Sequence, residues 1–246
     1  MSLSEVAFWG FISVTGIIIG SVIGIKLNLQ HSVISKIVAV ASGLLVATAT
    51  VELFHNAIKN INLYYGLVAL FTGAFAFSYV NSIIANLGAK NRKRCGVCVE
   101  QPTEQAQPGS GLAIMVGTAM DAIPEALVLG LSLWSQGVDY ALLLAIALGN
   151  LPEAISSSSG MKEAGRSEKW IYTVWGLVSV GTIVLTVLGF LLAEQLSHEF
   201  IAVLELFGAG ALIAMVAETL IPEATHGTPK FAGVLIALGF IILLLF

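Results

Sequence analysis

The sequence predicts an all-α membrane protein with eight transmembrane helices and both termini outside. The helices group as three, two and three, with the second half inverted on the first. Three observations lead there. Of 246 residues, 57% are hydrophobic and 11% are charged, less than half of the roughly 25% charged residues in a soluble domain. Eight stretches approach the roughly 20 apolar residues that a helix needs to cross a bilayer. The basic residues fall ten to one on alternate loops. This composition excludes an ordinary soluble enzyme, a disordered chain and a basic nucleic-acid binder. The lipid bilayer is the expected partner, and nucleic acid is not.

The stretches are 6–25, 33–54, 63–87, 111–133, 140–159, 170–193, 200–221 and 231–246. Their periods are helical, and none alternates like a barrel strand. The first follows Glu5 without a basic leader region and is too long for a signal-peptide core, so it reads as a retained span. Lys26 and Lys36 flank the first loop, Lys90, Arg92, Lys93 and Arg94 lie in the third, Lys162, Arg166 and Lys169 in the fifth, and Lys230 in the seventh. Only Lys59 lies on the opposite side. The excess of basic residues marks the cytoplasmic face. The expected organisation is one transmembrane domain, 1–246. It divides into a three-helix unit (1–88), a cytoplasmic loop (89–110), a central helix pair (111–160) and a second three-helix unit (161–246).

An internal repeat supports this plan. In the second span Ser42-Gly43 precedes Glu52 and His55, and in the seventh Ala209-Gly210 precedes Glu218 and Glu223. Five spans separate the two copies, so they run in opposite directions. Inverted halves are common in transporters, which place the substrate site near the midplane between them. The fourth span carries Ile123-Pro124-Glu125-Ala126 and the fifth carries Leu151-Pro152-Glu153-Ala154. Each proline lacks an N–H and crowds the carbonyl four residues back, at Met120 and Leu148. Thr118, Asp121 and Glu125 share one face of the fourth helix, and Asn150, Glu153 and Ser157 share one face of the fifth.

If these faces oppose each other, Asp121, Glu125, Asn150 and Glu153 form an oxygen-rich cluster at membrane depth. An acid there costs roughly 2.5–3.5 kcal/mol on insertion scales, and three cost about 8–10 kcal/mol. The spans hold no Lys or Arg away from their ends. Protons, a bound cation or water remain as compensators, and carboxylates with an amide oxygen suit a divalent metal. A structural network of protonated acids is the alternative.

At these residues the chain resembles the ZIP (Zrt-, Irt-like protein) family of divalent-metal transporters, in its GufA-like prokaryotic type. The resemblance covers the span count, the orientation, both Pro-Glu motifs and the Glu218–Ala224 end of the seventh span. It implies a membrane transporter rather than an enzyme. Its substrate would be a divalent cation (Zn²⁺, or Mn²⁺, Fe²⁺ or Cd²⁺), with no organic cofactor, in a bacterial-type inner or plasma membrane. It also implies that Asp121, Glu125, Asn150 and Glu153 are metal ligands and that the glutamates can bridge two metals. A homodimer is one assembly it allows, although no interface motif selects it. The chain departs from the family pattern at Asp121 and Gly149, which replace the first ligands of the two motifs, and at Ala122, Ala126 and Ala154. Loss of imidazole moves the donor set towards harder cations.

Secondary candidates lie near the span ends. Glu52 and His55 would form an entrance, and Glu218, Glu223 and His226 an exit, with solvated helix-end groups as the alternative reading. Cys95 and Cys98 form one C-x-x-C pair, a weak loop metal candidate. The expected activity is inward movement of a divalent cation, the outer three-helix units shifting against the central pair. The competitors are a proton- or sodium-coupled carrier of another solute and a metal-dependent intramembrane hydrolase. The spans contain no H-E-x-x-H or G-x-S-x-G motif to support a hydrolase.

Overall fold

Polar side chains start several helices where the sequence turns apolar. Ser2 and Glu5 form a reciprocal capping box at the first helix, satisfying N–H groups that have no intrahelical partner. Asn62, Asp139, Ser167 and Ser197 each accept a backbone N–H at the start of a later helix. The computed structural model describes residues 1–27, 29–90, 92, 101–103, 105–225 and 231–245. All regular elements among these residues are helical.

Among the described residues, seven helices are long and apolar enough to cross a membrane, consistent with an integral membrane protein. They are α1 (Leu3–Lys26), α2 (His31–Asn60), α3 (Leu63–Ala89), α4 (Ser110–Ser135), α5 (Tyr140–Glu163), α6 (Glu168–Glu194) and α7 (His198–Thr225). The apolar α8 (Ala232–Leu243) has 12 residues. It extends about 18 Å, short of a bilayer core of about 30 Å. The expected eighth span is therefore present as a shorter helix.

Among the described residues four helices depart from regular α geometry, and one of them, α3, ends in a π segment over Ala85–Ala89 with Gly88 at φ 113°. α1 breaks at Val14, beside two side chains that bond back to the preceding turn: Ser13 Oγ donates to the Gly10 carbonyl at 2.8 Å and Thr15 Oγ1 to that of Ile12 at 2.6 Å. Such back-bonding competes with the helical ladder. α2 widens to a π-helix over Thr48–Phe54 and α7 over Val216–Leu220. In α2, Thr48 and Thr50 bond back to Leu44 and Val46. In α7, Thr219 bonds back to Met215, and Pro222 lacks the N–H that would reach Glu218. Glu52 and Glu218 both lie in these π segments, where the ladder is locally re-aimed.

Burial separates an inner from an outer set of helices. In α5, 72% of the residues in the most apolar stretch are buried, against 28% in α3. α7, α2 and α4 follow α5, and α1 and α6 are more exposed. α3 packs along α7, α8 along α2, α1 along α5, and α6 along α4. Helices from the first and second halves of the chain thus interleave.

Glycines decide which of these contacts are close. Gly16, Gly20 and Gly24 place α1 against backbone atoms of Ala147, Leu151 and Ile155 in α5. Gly43 and Gly239 bring α2 and α8 together, and Gly73 and Gly210 do the same for α3 and α7. Gly130 faces the backbone of Thr186 and Phe190, joining α4 to α6. In contrast, Gly149 of α5 meets the Leu45 side chain of α2, and Gly208 of α7 meets the Val128 side chain of α4. Backbone-to-backbone glycine contacts therefore hold four helix pairs, α1–α5, α4–α6, α2–α8 and α3–α7. Side chains fill the glycine contacts of α5 with α2 and of α7 with α4.

Candidate functional site

Pro124 and Pro152 lie inside uninterrupted helices. Each removes one ladder hydrogen bond in the turn that carries a glutamate. The polar faces read from the spacing point inward: Thr118, Asp121 and Glu125 of α4 and Asn150, Glu153 and Ser157 of α5 are all buried. Glu125 is 1% exposed and Glu153 6%, so both acids lie inside the protein rather than on its lipid-facing surface.

Asp121 has a partner that the span sequences do not contain. Arg92 Nη2 donates to Asp121 Oδ1 at 2.7 Å, and Arg92 Nε donates to Oδ2 at 2.9 Å. Both residues are 2% exposed. This is the two-pronged geometry that a guanidinium fork makes with a carboxylate. The arginine stem crosses α4 at Gly117, where a Cβ would lie 2.6 Å from Arg92 Cδ. Burial opposes the charge on Arg92, and the attraction of Asp121 outweighs it, so the guanidinium is held above its ordinary range. Glu153 and Glu218 add weaker attraction.

This corrects two expectations. A basic residue does reach the central acids, and Arg92 is an internal counter-ion rather than a loop anchor. Its hints in sequence were weak: it stands in a basic run that reads as positive-inside, and Gly117 precedes Asp121 by one turn. Among the described residues, no three His, Cys, Asp or Glu side chains group as a metal-holding set. The arginine holds Asp121 by both oxygens.

Asn150 is placed by the break in α1. Its Nδ2 donates to the Ser13 carbonyl at 3.2 Å, an acceptor at the interrupted ladder. Gly149, where the resemblance puts a first ligand, packs against Leu45.

The secondary candidates separate. The Glu52 carboxyl lies near Asp139, the N-cap of α5, whereas His55 is exposed. Glu218 accepts hydrogen bonds from Ser78 Oγ and, at 2.6 Å, from Asn81 Nδ2, both in α3. Glu223 accepts from Ser156 Oγ at 3.0 Å, with His31 Nδ1 3.9 Å away. The two exit candidates thus serve different partners. Glu218 lies in the π segment and Glu223 in the α turn that follows it, and the two meet different helices. His226, Cys95 and Cys98 lie outside the described residues.

Sequence reasoning did not single out Arg92, His31, Asp139, Ser78, Asn81 or Glu205. Glu205 of α7 is buried and accepts from Ser135 Oγ at 3.1 Å. No family model matches the chain, and no curated protein matches it either.

Proposed function

We propose that this chain is a divalent-cation permease of the ZIP type, with Glu125 and Glu153 as the central ligands and Asn150 assisting. The supporting observation is that two Pro-Glu motifs, on consecutive membrane-length helices, both carry their glutamates into the protein interior. Intramembrane acids mark ion and proton pathways. Hard carboxylate oxygens without imidazole favour Mn²⁺ or Fe²⁺, with Zn²⁺ and Cd²⁺ as the family's own candidates.

The inverted three-two-three plan belongs to this proposal. Exchange α1 with α6, α2 with α7, α3 with α8, and α4 with α5. The pairs α3–α7 and α2–α8 then swap, as do α1–α5 and α4–α6, and every one of them is a packing pair. The contact of Gly43 of α2 with α8 and that of Gly210 of α7 with α3 exchange in the same way. With cytoplasmic odd-numbered loops and external termini, the Arg92 end of α4 faces the cytoplasm. The interleaved packing moves the sliding boundary away from that between the outer units and the central pair. α1, α4, α5 and α6 would shift together against α2, α3, α7 and α8, along contacts filled by side chains.

The test is uptake of Zn²⁺, Mn²⁺, Fe²⁺ and Cd²⁺ into proteoliposomes. The variant carrying Glu125→Gln and Glu153→Gln should lose at least about tenfold in rate, because two ligand charges are gone. Native uptake by a folded double variant overturns the proposal. One observation favours a second reading, a proton- or sodium-coupled carrier: among the described residues no three acid, His or Cys ligands converge. Flux driven by a proton or sodium gradient, with no divalent cation bound, would select it.

A further inference from the structure

The reading above leaves a buried arginine unused. Arg92 is not part of a span, yet it reaches one and ends 2% exposed on an acid that is equally buried. Several contacts fix it there. Its backbone N–H donates to the Ala89 carbonyl at 3.2 Å, and Nη1 donates to the same oxygen at 3.3 Å. Its own carbonyl accepts from Gln101 Nε2 at 3.0 Å, and that nitrogen also lies 3.3 Å from the Ser157 carbonyl of α5. Gly117 leaves room for its stem. A loop arginine serving only as a surface anchor has no need of these arrangements.

Charge states the consequence. The buried acids of α4 and α5, Asp121, Glu125 and Glu153, carry three formal negative charges, and Arg92 returns one positive charge; Glu218, which also attracts Arg92, is exposed and held by Ser78 and Asn81 of α3. The balance is two negative charges, which one divalent cation neutralises. We infer that Arg92 is a tethered counter-cation that sets the charge of the central acids, so that the site takes one divalent cation and Asp121 is not among its ligands. Arg92 is then a specificity-determining residue. Arginine stays protonated at any physiological pH, so this compensation is permanent, unlike a proton. Its planar fork occupies both oxygens of a carboxylate that would otherwise attract a second cation.

The inference rests on the cation reading, and equilibrium dialysis of purified full-length protein against Mn²⁺ and Zn²⁺ tests both. Wild type should bind one equivalent, lost with Glu125→Gln plus Glu153→Gln. Arg92→Gln should bind at least about tenfold tighter or take a second equivalent, because a unit charge in a partly desolvated site is worth that much. Asp121→Asn should bind at least about tenfold weaker, since the arginine is then uncompensated. The variant with both Arg92→Gln and Asp121→Asn should return to one equivalent within about threefold of wild-type affinity, its charge being restored. Arg92→Lys, which keeps the charge, should retain one equivalent.

A purely structural ion pair predicts lost stability but no change in stoichiometry or affinity in those variants that fold. If Arg92→Gln does not fold, the charge-balanced double variant is compared with Asp121→Asn. Tighter binding by the double variant supports the inference, and equal binding overturns it. Wild-type binding that disappears in the glutamate variant but is unaltered by Arg92→Gln overturns the counter-cation role alone. No binding by folded wild type overturns the cation reading and this inference together.

Discussion

α4 and α5 carry the same four-residue pattern around their prolines, yet each accommodates its buried polar neighbour differently. One turn before Glu125, Asp121 is held by a charged fork from Arg92, 29 residues away in sequence. One turn before Glu153, Asn150 is held by a neutral hydrogen bond to the Ser13 carbonyl, 137 residues away. The difference follows from the groups themselves. A carboxylate cannot stay ionised in the interior without an opposing charge, whereas an amide needs only an acceptor, which the break in α1 supplies. A repeated motif therefore determines where polar groups are buried, but not what compensates them.

The sharpest way to break this comparison is to remove the charged partner. Arg92→Ala leaves Asp121 buried and uncompensated and should cost about 3–5 kcal/mol, read by reversible unfolding in mixed micelles. Replacing the pair together, Arg92→Met with Asp121→Leu, should recover most of that loss. If Arg92→Ala unfolds like wild type, the pair is not buried in the membrane-embedded protein.

Gly20→Leu should cost about 1–3 kcal/mol by overpacking, because the Gly20 face of α1 lies on the backbone of Leu151 and on Ala154. Thermal unfolding measures that cost. The same variant should also lower the transport rate, since α1 carries the acceptor for Asn150; unchanged transport would detach α1 from the site.

Asn150→Ala should cost only about 0.6 kcal/mol, the average for an interhelical hydrogen bond in a membrane protein. A loss equal to that of Arg92→Ala would erase the distinction between α4 and α5. Smallest of all, Lys26→Ala with Glu168→Ala should leave the melting temperature unchanged. That 2.6 Å pair is solvent-exposed, and such pairs contribute little.

The inward faces were legible in advance because helical spacing alone places Thr118, Asp121 and Glu125 on one side of α4 and Asn150, Glu153 and Ser157 on one side of α5. Arg92 was not legible, since a basic residue in a basic loop has an ordinary explanation at the membrane surface. Glu218 and Glu223 misled in the opposite way. Their closeness in sequence suggested a single exit site, but one bonds to α3 and the other lies at Ser156 and His31. The π segments at Glu52 and Glu218 were also hidden, because their threonine back-bonds become evident only once the ladder is seen.

The residues by themselves determined that the chain is helical, roughly how many helices approach membrane length, and which faces of α4 and α5 are buried. Those properties depend on local periodicity and on the cost of leaving backbone or acid in hydrocarbon. Tertiary structure alone decided the interleaving of the two halves, the four helix pairs joined by glycine contacts, and the hydrogen-bond partners of the buried acids Asp121, Glu205 and Glu223. Those hydrogen bonds span 29 to 70 residues, and they depend on how closely backbones approach after packing, which no local pattern encodes.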